Sequence, residues 1–259
     1  MAIPPTLIAL NSRPLPYEDR ITVFFDILGW RSLIEAAGSN PALVSAIALI
    51  PRMFARLARD HNTEGSSGAG SRITTFSDSV VFSAPYVAEE FAARLNGLAE
   101  VQFGLLTIGM CLRGGITVGP LVHDDLLLFG PAMNRAYHLE SQLAVVPRLL
   151  LDPDLPRDIR TAAESAIAID EMDGLAYVNP FNRTVFDAGR SRRHSPELQA
   201  GLSVHFPDAT DEPAQLNYEM TLYAVRHMAE LARSQETAPS IHAKYDWLLA
   251  KIANAQRPL

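Results

Sequence analysis

Two aspartates stand where the surrounding sequence disfavours them. Asp26 ends RITVFFD, a β-branched and aromatic run that reads as a buried strand, directly ahead of the helical stretch ILGWRSLIEAAG. Asp78 interrupts ITTFSDSVVFS, whose alternation and β-propensity predict one strand or a tight hairpin over Arg72–Ala84. Each has an ordinary reading: Asp26 as a helix N-cap, and Asp78 as a hairpin turn beside Ser77 and Ser79. Together they say more. If the two strands pair, both carboxylates meet at one sheet edge, where they repel unless a hard divalent cation bridges them. Backbone N–H groups of Ile27-Leu28-Gly29-Trp30-Arg31 open a helix beside Asp26, the chemistry of an anion site.

Further polar residues fall at suggestive spacings. Arg113-Gly114-Gly115-Ile-Thr-Val-Gly119 lies within a strand, so it is neither a Walker loop nor a dinucleotide fingerprint. Its glycines permit close approach of a backbone or ligand, and Arg113 reads as a phosphate partner or a surface arginine. In GPAMNRAYHLES, Asn134 and His138 share a helix face and Arg135 lies beside them. That cluster lines a site or forms a solvated face. His123-Asp124-Asp125 reads as a polar turn rather than a metal cluster. Cys111, the only cysteine, reads as core, which excludes an internal disulfide and a multi-cysteine zinc site. No GxSxG, HExxH or GGDEF string is present.

The elements that must position these residues read in the order β-α-α-β-β-α-β-β-α-β-α-β. They begin with the strand Arg20–Asp26 and end with Leu175–Val178. Helices are expected over Pro41–Arg59, Val87–Leu106, from Pro131 to about Val145, and about 155–168. The mixture predicts an α+β sandwich with helices covering an antiparallel or mixed sheet. Prolines 4, 5, 14 and 16 mark an extended arm. Residues 183–212, including GRSRRHSPE, read as a linker, and DHNTEGSSGAGS as a loop. Two helical patterns follow the linker, one carrying Tyr218, Leu222 and Val225, the other Ile241, Tyr245 and Leu248.

Composition bounds the function. A net charge of −7 over 259 residues opposes a general nucleic-acid or anionic-membrane binder. No apolar run is long enough to span a bilayer, and the first residues lack the features of a signal peptide, so a cytoplasmic location is the expectation. The only lysines are Lys244 and Lys251, so phosphate recognition in the main body is expected to fall to arginine.

FFDILGW, TFSDSVVFS, LRGGITVGP and FGPAMNRAYHLES occur in the order and spacing of a class III nucleotidyl cyclase catalytic domain. The chain resembles that family across roughly residues 20–145. It looks closest to the bacterial pyrimidine cyclases of the Pycsar antiphage systems. The resemblance implies a ferredoxin-like core that works as a head-to-tail homodimer with sites at the interface. It assigns Asp26, Ile27 and Asp78 to metal, which would be two Mn²⁺ or Mg²⁺ ions. It assigns Phe25, Leu28, Gly29, Trp30, Thr74, Arg113 and Leu127 to substrate, and Asn134, Arg135 and His138 to catalysis. Asn134 would come from the partner subunit to position the ribose. Thr74 and Leu127 stand where purine cyclases carry their base readers, so adenine and guanine specificity is unsupported. His138 replaces the family's transition-state arginine, for which Arg135 is the candidate substitute.

The resemblance thus implies a uridylate cyclase (UTP to cyclic UMP and pyrophosphate) serving antiphage defence, with a separate effector sensing the product. Alternatives are a cytidylate cyclase, a catalytically silent cyclase-like domain that binds nucleotide or a partner, and another two-metal palm enzyme. The expected division is an arm over 1–19, a catalytic domain over 20–182, and a linker with a C-terminal helical appendage over 183–259.

Overall fold

The computed structural model describes residues 15–60, 70–188, 218–235 and 238–256. Most of the expected arm, all but the ends of the glycine-rich loop, and the basic part of the expected linker lie outside them. The described elements are β1 (Glu18–Ile27), α1 (Trp30–Ala37), α2 (Pro41–Asp60), β2 (Arg72–Phe76), β3 (Ser79–Pro85), α3 (Ala88–Leu106), β4 (Leu112–His123), β5 (Leu128–Phe129) and α4 (Pro131–His138). A π-turn (Leu139–Leu143) follows, then β6 (Leu149–Leu151), α5 (Arg157–Glu164), β7 (Ile169–Met172), β8 (Leu175–Val178), α6 (Arg183–Ala188), α7 (Tyr218–Gln235) and α8 (Pro239–Ala255). The fold is α+β, with a mixed and mostly antiparallel sheet.

The sheet runs β2-β3-β1-β4-β6-β8-β7, with β5 paired to β4. Only β4 and β6 pair in parallel among these contacts. Strand β1 lies between β3 and β4, antiparallel to both. Its period of two sends Ile21, Val23, Phe25 and Ile27 into the main core beneath Phe91 and Leu95 of α3. Arg20, Thr22, Phe24 and Asp26 therefore face the other way, where Phe24 packs with Val81 and with Ala136 of α4.

Two local departures from the sequence reading have simple causes. Helix α4 stops at His138 rather than near Val145, because the chain widens into a π-turn closed by Ala144 N–H donating to the Leu139 carbonyl at 2.9 Å. The expected helix 155–168 ends at Glu164, and Ile169–Met172 forms an additional edge strand instead. The Ala168 N–H is taken by the Asn96 side chain at 2.9 Å, holding that segment out of a helix.

The C-terminal helices do not form a separate core. Phe103, Leu106, Cys111 and Phe181 share one hydrophobic cluster with Tyr218, Leu222, Tyr245 and Leu248, and Leu28 packs against it. Residues from 183 onward, expected to open a linker, begin with helix α6, whose Phe186 stacks edge-on against Phe103 at 5.4 Å. The expected boundary at 183 therefore divides one core.

Candidate functional site

Asp26 sits at the end of β1, opposite Ser79 of β3 and Arg113 of β4. Asp78 lies in the two-residue β2–β3 turn, where Ser77 takes a left-handed φ of 56°. Its carbonyl accepts the Ile27 N–H at 3.0 Å, tying the turn to the end of β1. The two carboxyl groups are close enough for the charge of Asp78 to act on Asp26. Burial pushes the Asp26 carboxyl up to about 6, helped by the neighbouring acids Asp78 and Glu140 and opposed by Arg113. Asp26 Oδ1 is buried without a hydrogen bond, and Oδ2 is 3.6 Å from the Arg113 guanidinium.

Arg113 spans Asp26 and Glu140, with which it forms a close ion pair. Glu140 is brought there by the π-turn. That turn lies tight against β4, since a Cβ at Gly115 would fall 2.3 Å from the Leu139 Cβ and 2.7 Å from the Ala136 carbonyl oxygen. The Lys244 ammonium of α8 feels Arg113, Asp26 and Glu140 electrostatically. Partial burial and the Arg113 charge depress its pKa, and the two acids partly restore it.

The chain turns into α1 through Gly29, left-handed at φ 83°, and no side chain caps that helix. Its first-turn N–H groups lack intrahelical acceptors. Asp26 is thus a strand residue, and Gly29 holds the N-cap position. The Phe25, Ile27 and Trp30 side chains are buried in the core. Leu28 packs against the cluster that holds Cys111 and the C-terminal helices, and its N–H donates to the Cys111 carbonyl at 2.9 Å. This segment can therefore offer a ligand its backbone.

Thr74 lies on the same sheet face as Asp26, two strands away and two pair-rows along. With strands about 4.8 Å apart and a rise of about 3.3 Å per residue, that is roughly 12 Å on the diagonal. Its hydroxyl is 2.8 Å from His123 Nε2, and His123 Nδ1 is 2.8 Å from the Ser83 hydroxyl. Arg20 Nε donates to that same Ser83 oxygen at 2.9 Å. Arginine only donates. The Ser83 oxygen has a second lone pair beside the one that Arg20 takes, so either imidazole tautomer satisfies this chain of contacts. Burial and the charges of Arg20 and Arg72 push the His123 imidazole down to about 4, which keeps it neutral for this relay.

The remaining expected residues are not drawn into the cluster. Asn134 and His138 are exposed on α4, and no hydrogen bond or ion pair among the described residues links them to Asp26. Arg135 Nε and Nη2 are committed to buried Asp152 and to Asp154, and Thr117 donates to the same Asp152 at 2.7 Å. That is a brace between α4 and the segment after β6, and it leaves Arg135 poorly placed to replace a transition-state arginine. Leu127 is half-exposed in the β4–β5 turn, its N–H donating to Asp124 Oδ1 at 2.7 Å. The His123–Asp125 turn is as expected at Asp124, whereas His123 itself is buried.

Among the described residues, no group of three or more His, Cys, Asp or Glu side chains is arranged to hold a metal ion. Glu140 is neutralised by Arg113. The donor set that remains, two crowded carboxylates with one orphaned buried oxygen, fits a hard divalent cation. Sequence reasoning missed Glu140, Lys244 and His123. An acidic residue interrupting the apolar face after His138 was a signal for the first, and a lysine beside the apolar stripe of the last helix for the second.

No protein-family model matches the chain, and no curated protein aligns with it significantly. No described helix is long and apolar enough to cross a membrane.

Proposed function

We propose that the protein is a pyrimidine nucleotide cyclase that converts UTP to 3′,5′-cyclic UMP and pyrophosphate. The observation that carries this reading is the convergence of Asp26 and Asp78 beside the uncapped start of α1 and the Arg113 guanidinium. Asp26 and Asp78 would hold two divalent ions, Mn²⁺ or Mg²⁺, with the Ile27 carbonyl as a further ligand. Such ions lower the pKa of a hydroxyl and neutralise a phosphate leaving group.

The chain's own residues bind and orient. First-turn N–H groups of α1 and the Arg113 guanidinium face the phosphates. The 3′-oxygen attacks the α-phosphorus, forming one P–O bond as the bond to pyrophosphate breaks, and its proton passes to solvent. In-line geometry depends on the ribose, which Asn134 of a second copy would hold. The exposure of Asn134 beside Tyr137, itself 54% exposed, supports such a homodimer. Alignment of this kind is worth several kcal/mol.

Cyclic UMP made this way would serve as a second messenger in antiphage defence, read by a separate effector. Purified protein with Mn²⁺ and each of ATP, GTP, CTP and UTP provides the test, with pyrophosphate release measured and products identified by mass. Cyclic UMP is expected from UTP. Cyclic CMP alone would transfer the assignment to a cytidylate cyclase. No product from any nucleotide would leave a silent nucleotide-binding domain.

A further inference from the structure

Arg113 makes both of its ion pairs through one nitrogen. Nη2 contacts Glu140 Oε1 and lies 3.6 Å from Asp26 Oδ2, while Nε is buried without a hydrogen bond. A guanidinium grips a phosphate through two adjacent N–H groups, and Nη2 belongs to both of the edges that offer such a pair. As folded, Arg113 therefore presents neither edge whole. A divalent ion on Asp26 would occupy that carboxylate and leave Glu140 as the acid still holding Nη2.

The two partners differ in freedom. The Glu140 carboxylate has no other hydrogen bond or ion pair among the described residues, and its side chain is 6% exposed against 24% for Arg113. The Glu140 backbone is pinned. Its neighbour Leu139 is fully buried directly over Gly115, and the Ala144 N–H closes the π-turn on the Leu139 carbonyl. The guanidinium, on the open side, is the part that can turn. When it turns, Glu140 is left as a buried carboxylate without its cation, which costs free energy.

We infer that Glu140 is an internal competitor for Arg113. Its carboxylate occupies the guanidinium edge that a phosphate takes, sets how tightly the site holds polyphosphate, and reclaims the arginine as pyrophosphate leaves. This rests on the cyclase reading for the identity of the product, whereas the competition itself can be measured without turnover. An acid that weakens phosphate binding is useful in such a reaction, because product release limits the rate of many enzymes and pyrophosphate is highly charged.

Calorimetric titration of the full chain with inorganic tripolyphosphate in Mg²⁺ tests it. Glu140→Gln should tighten binding about tenfold, Arg113→Gln should weaken it, and the double variant should bind like Arg113→Gln, since the acid acts only through the arginine. Glu140→Asp, which keeps the charge but shortens the reach, should tighten binding too, by less. Pyrophosphate should inhibit UTP turnover by Glu140→Gln more strongly than turnover by the unsubstituted protein. Unchanged or weaker tripolyphosphate binding in both Glu140 variants overturns the inference, whether or not UTP is cyclised. A gain from Glu140→Gln of the same size in the Arg113→Gln background overturns it too, because the field of the carboxylate rather than its contact would then be responsible. Tighter binding by Glu140→Gln with no nucleotide cyclised sinks the cyclase reading and keeps the competition. If tripolyphosphate binds neither the unsubstituted chain nor Glu140→Gln, the inference falls, and UTP turnover alone decides the cyclase reading.

Discussion

Arg113 stands between two acids that the chain keeps far apart, touching Glu140 from the π-turn and lying 3.6 Å from Asp26 at the end of β1. Glu140 is the more deeply buried of the two, with a side chain only 6% exposed. Removing the guanidinium leaves that carboxylate without its partner. Arg113→Met should cost about 3 kcal/mol of stability, and adding Glu140→Leu should recover most of it without restoring activity. Urea denaturation of both single variants and the double variant gives the coupling directly.

Asp26 is expected to work against stability while serving the site. Its carboxyl is pushed up to about 6 by burial, so near pH 7 the folded protein holds a charge it disfavours. For a raised carboxyl the sign is plain: the penalty is present above the folded value and fades as pH falls toward the unfolded value near 4. Without metal, Asp26→Asn should raise the thermal midpoint by a few degrees at pH 7, and by little at pH 4. Cyclic nucleotide formation should vanish in the same variant. An unchanged or lower midpoint at pH 7 would contradict the charge argument.

His123 predicts an acid limb of opposite slope. Its pKa is depressed to about 4, against an unfolded value near 6.5, so between those values the unfolded chain binds the extra proton. Stability from this group is complete above about 6.5 and is lost as pH falls toward 4, approaching tenfold per unit. His123→Gln should flatten that limb in denaturation profiles. Thr74→Val tests the relay from its other end. It should cost about 1 kcal/mol at pH 7, read from the same denaturation profiles, because Nε2 loses its partner.

Gly115 sets how closely α4 and the π-turn approach the sheet. Gly115→Ala would place a methyl group 2.3 Å from the Leu139 Cβ and 2.7 Å from the Ala136 carbonyl oxygen, so the helix must move. A loss of about 2 kcal/mol is expected, with activity falling further because Glu140 travels with Leu139. The midpoint of chemical denaturation and the rate at permissive temperature report these separately.

Much of this was legible in the residues because it depends on short-range pattern. RITVFFD alternates its core and site faces with period two, and pairing β1 with β3 was enough to bring Asp26 to Asp78. Polar β7 gave little signal, since only the ends of Ile169–Met172 are partly buried and the edge strand is defined by its Asp173-Gly174 hairpin. Glu140 was hidden by the π-turn, which rotates a residue that an unbroken α-helix would present differently. Lys244 belongs to a contact between distant parts of the chain that no local periodicity encodes.

That distance also sets a timetable. The carboxylate at position 26 leaves the ribosome well before the lysine at position 244, and at about 5–20 residues per second the gap is roughly ten to forty seconds. Through that interval a nascent chain carries its acidic pair without the opposing ammonium. The hydrophobic cluster around Phe103 and Cys111 likewise stays open until synthesis has reached the final helix.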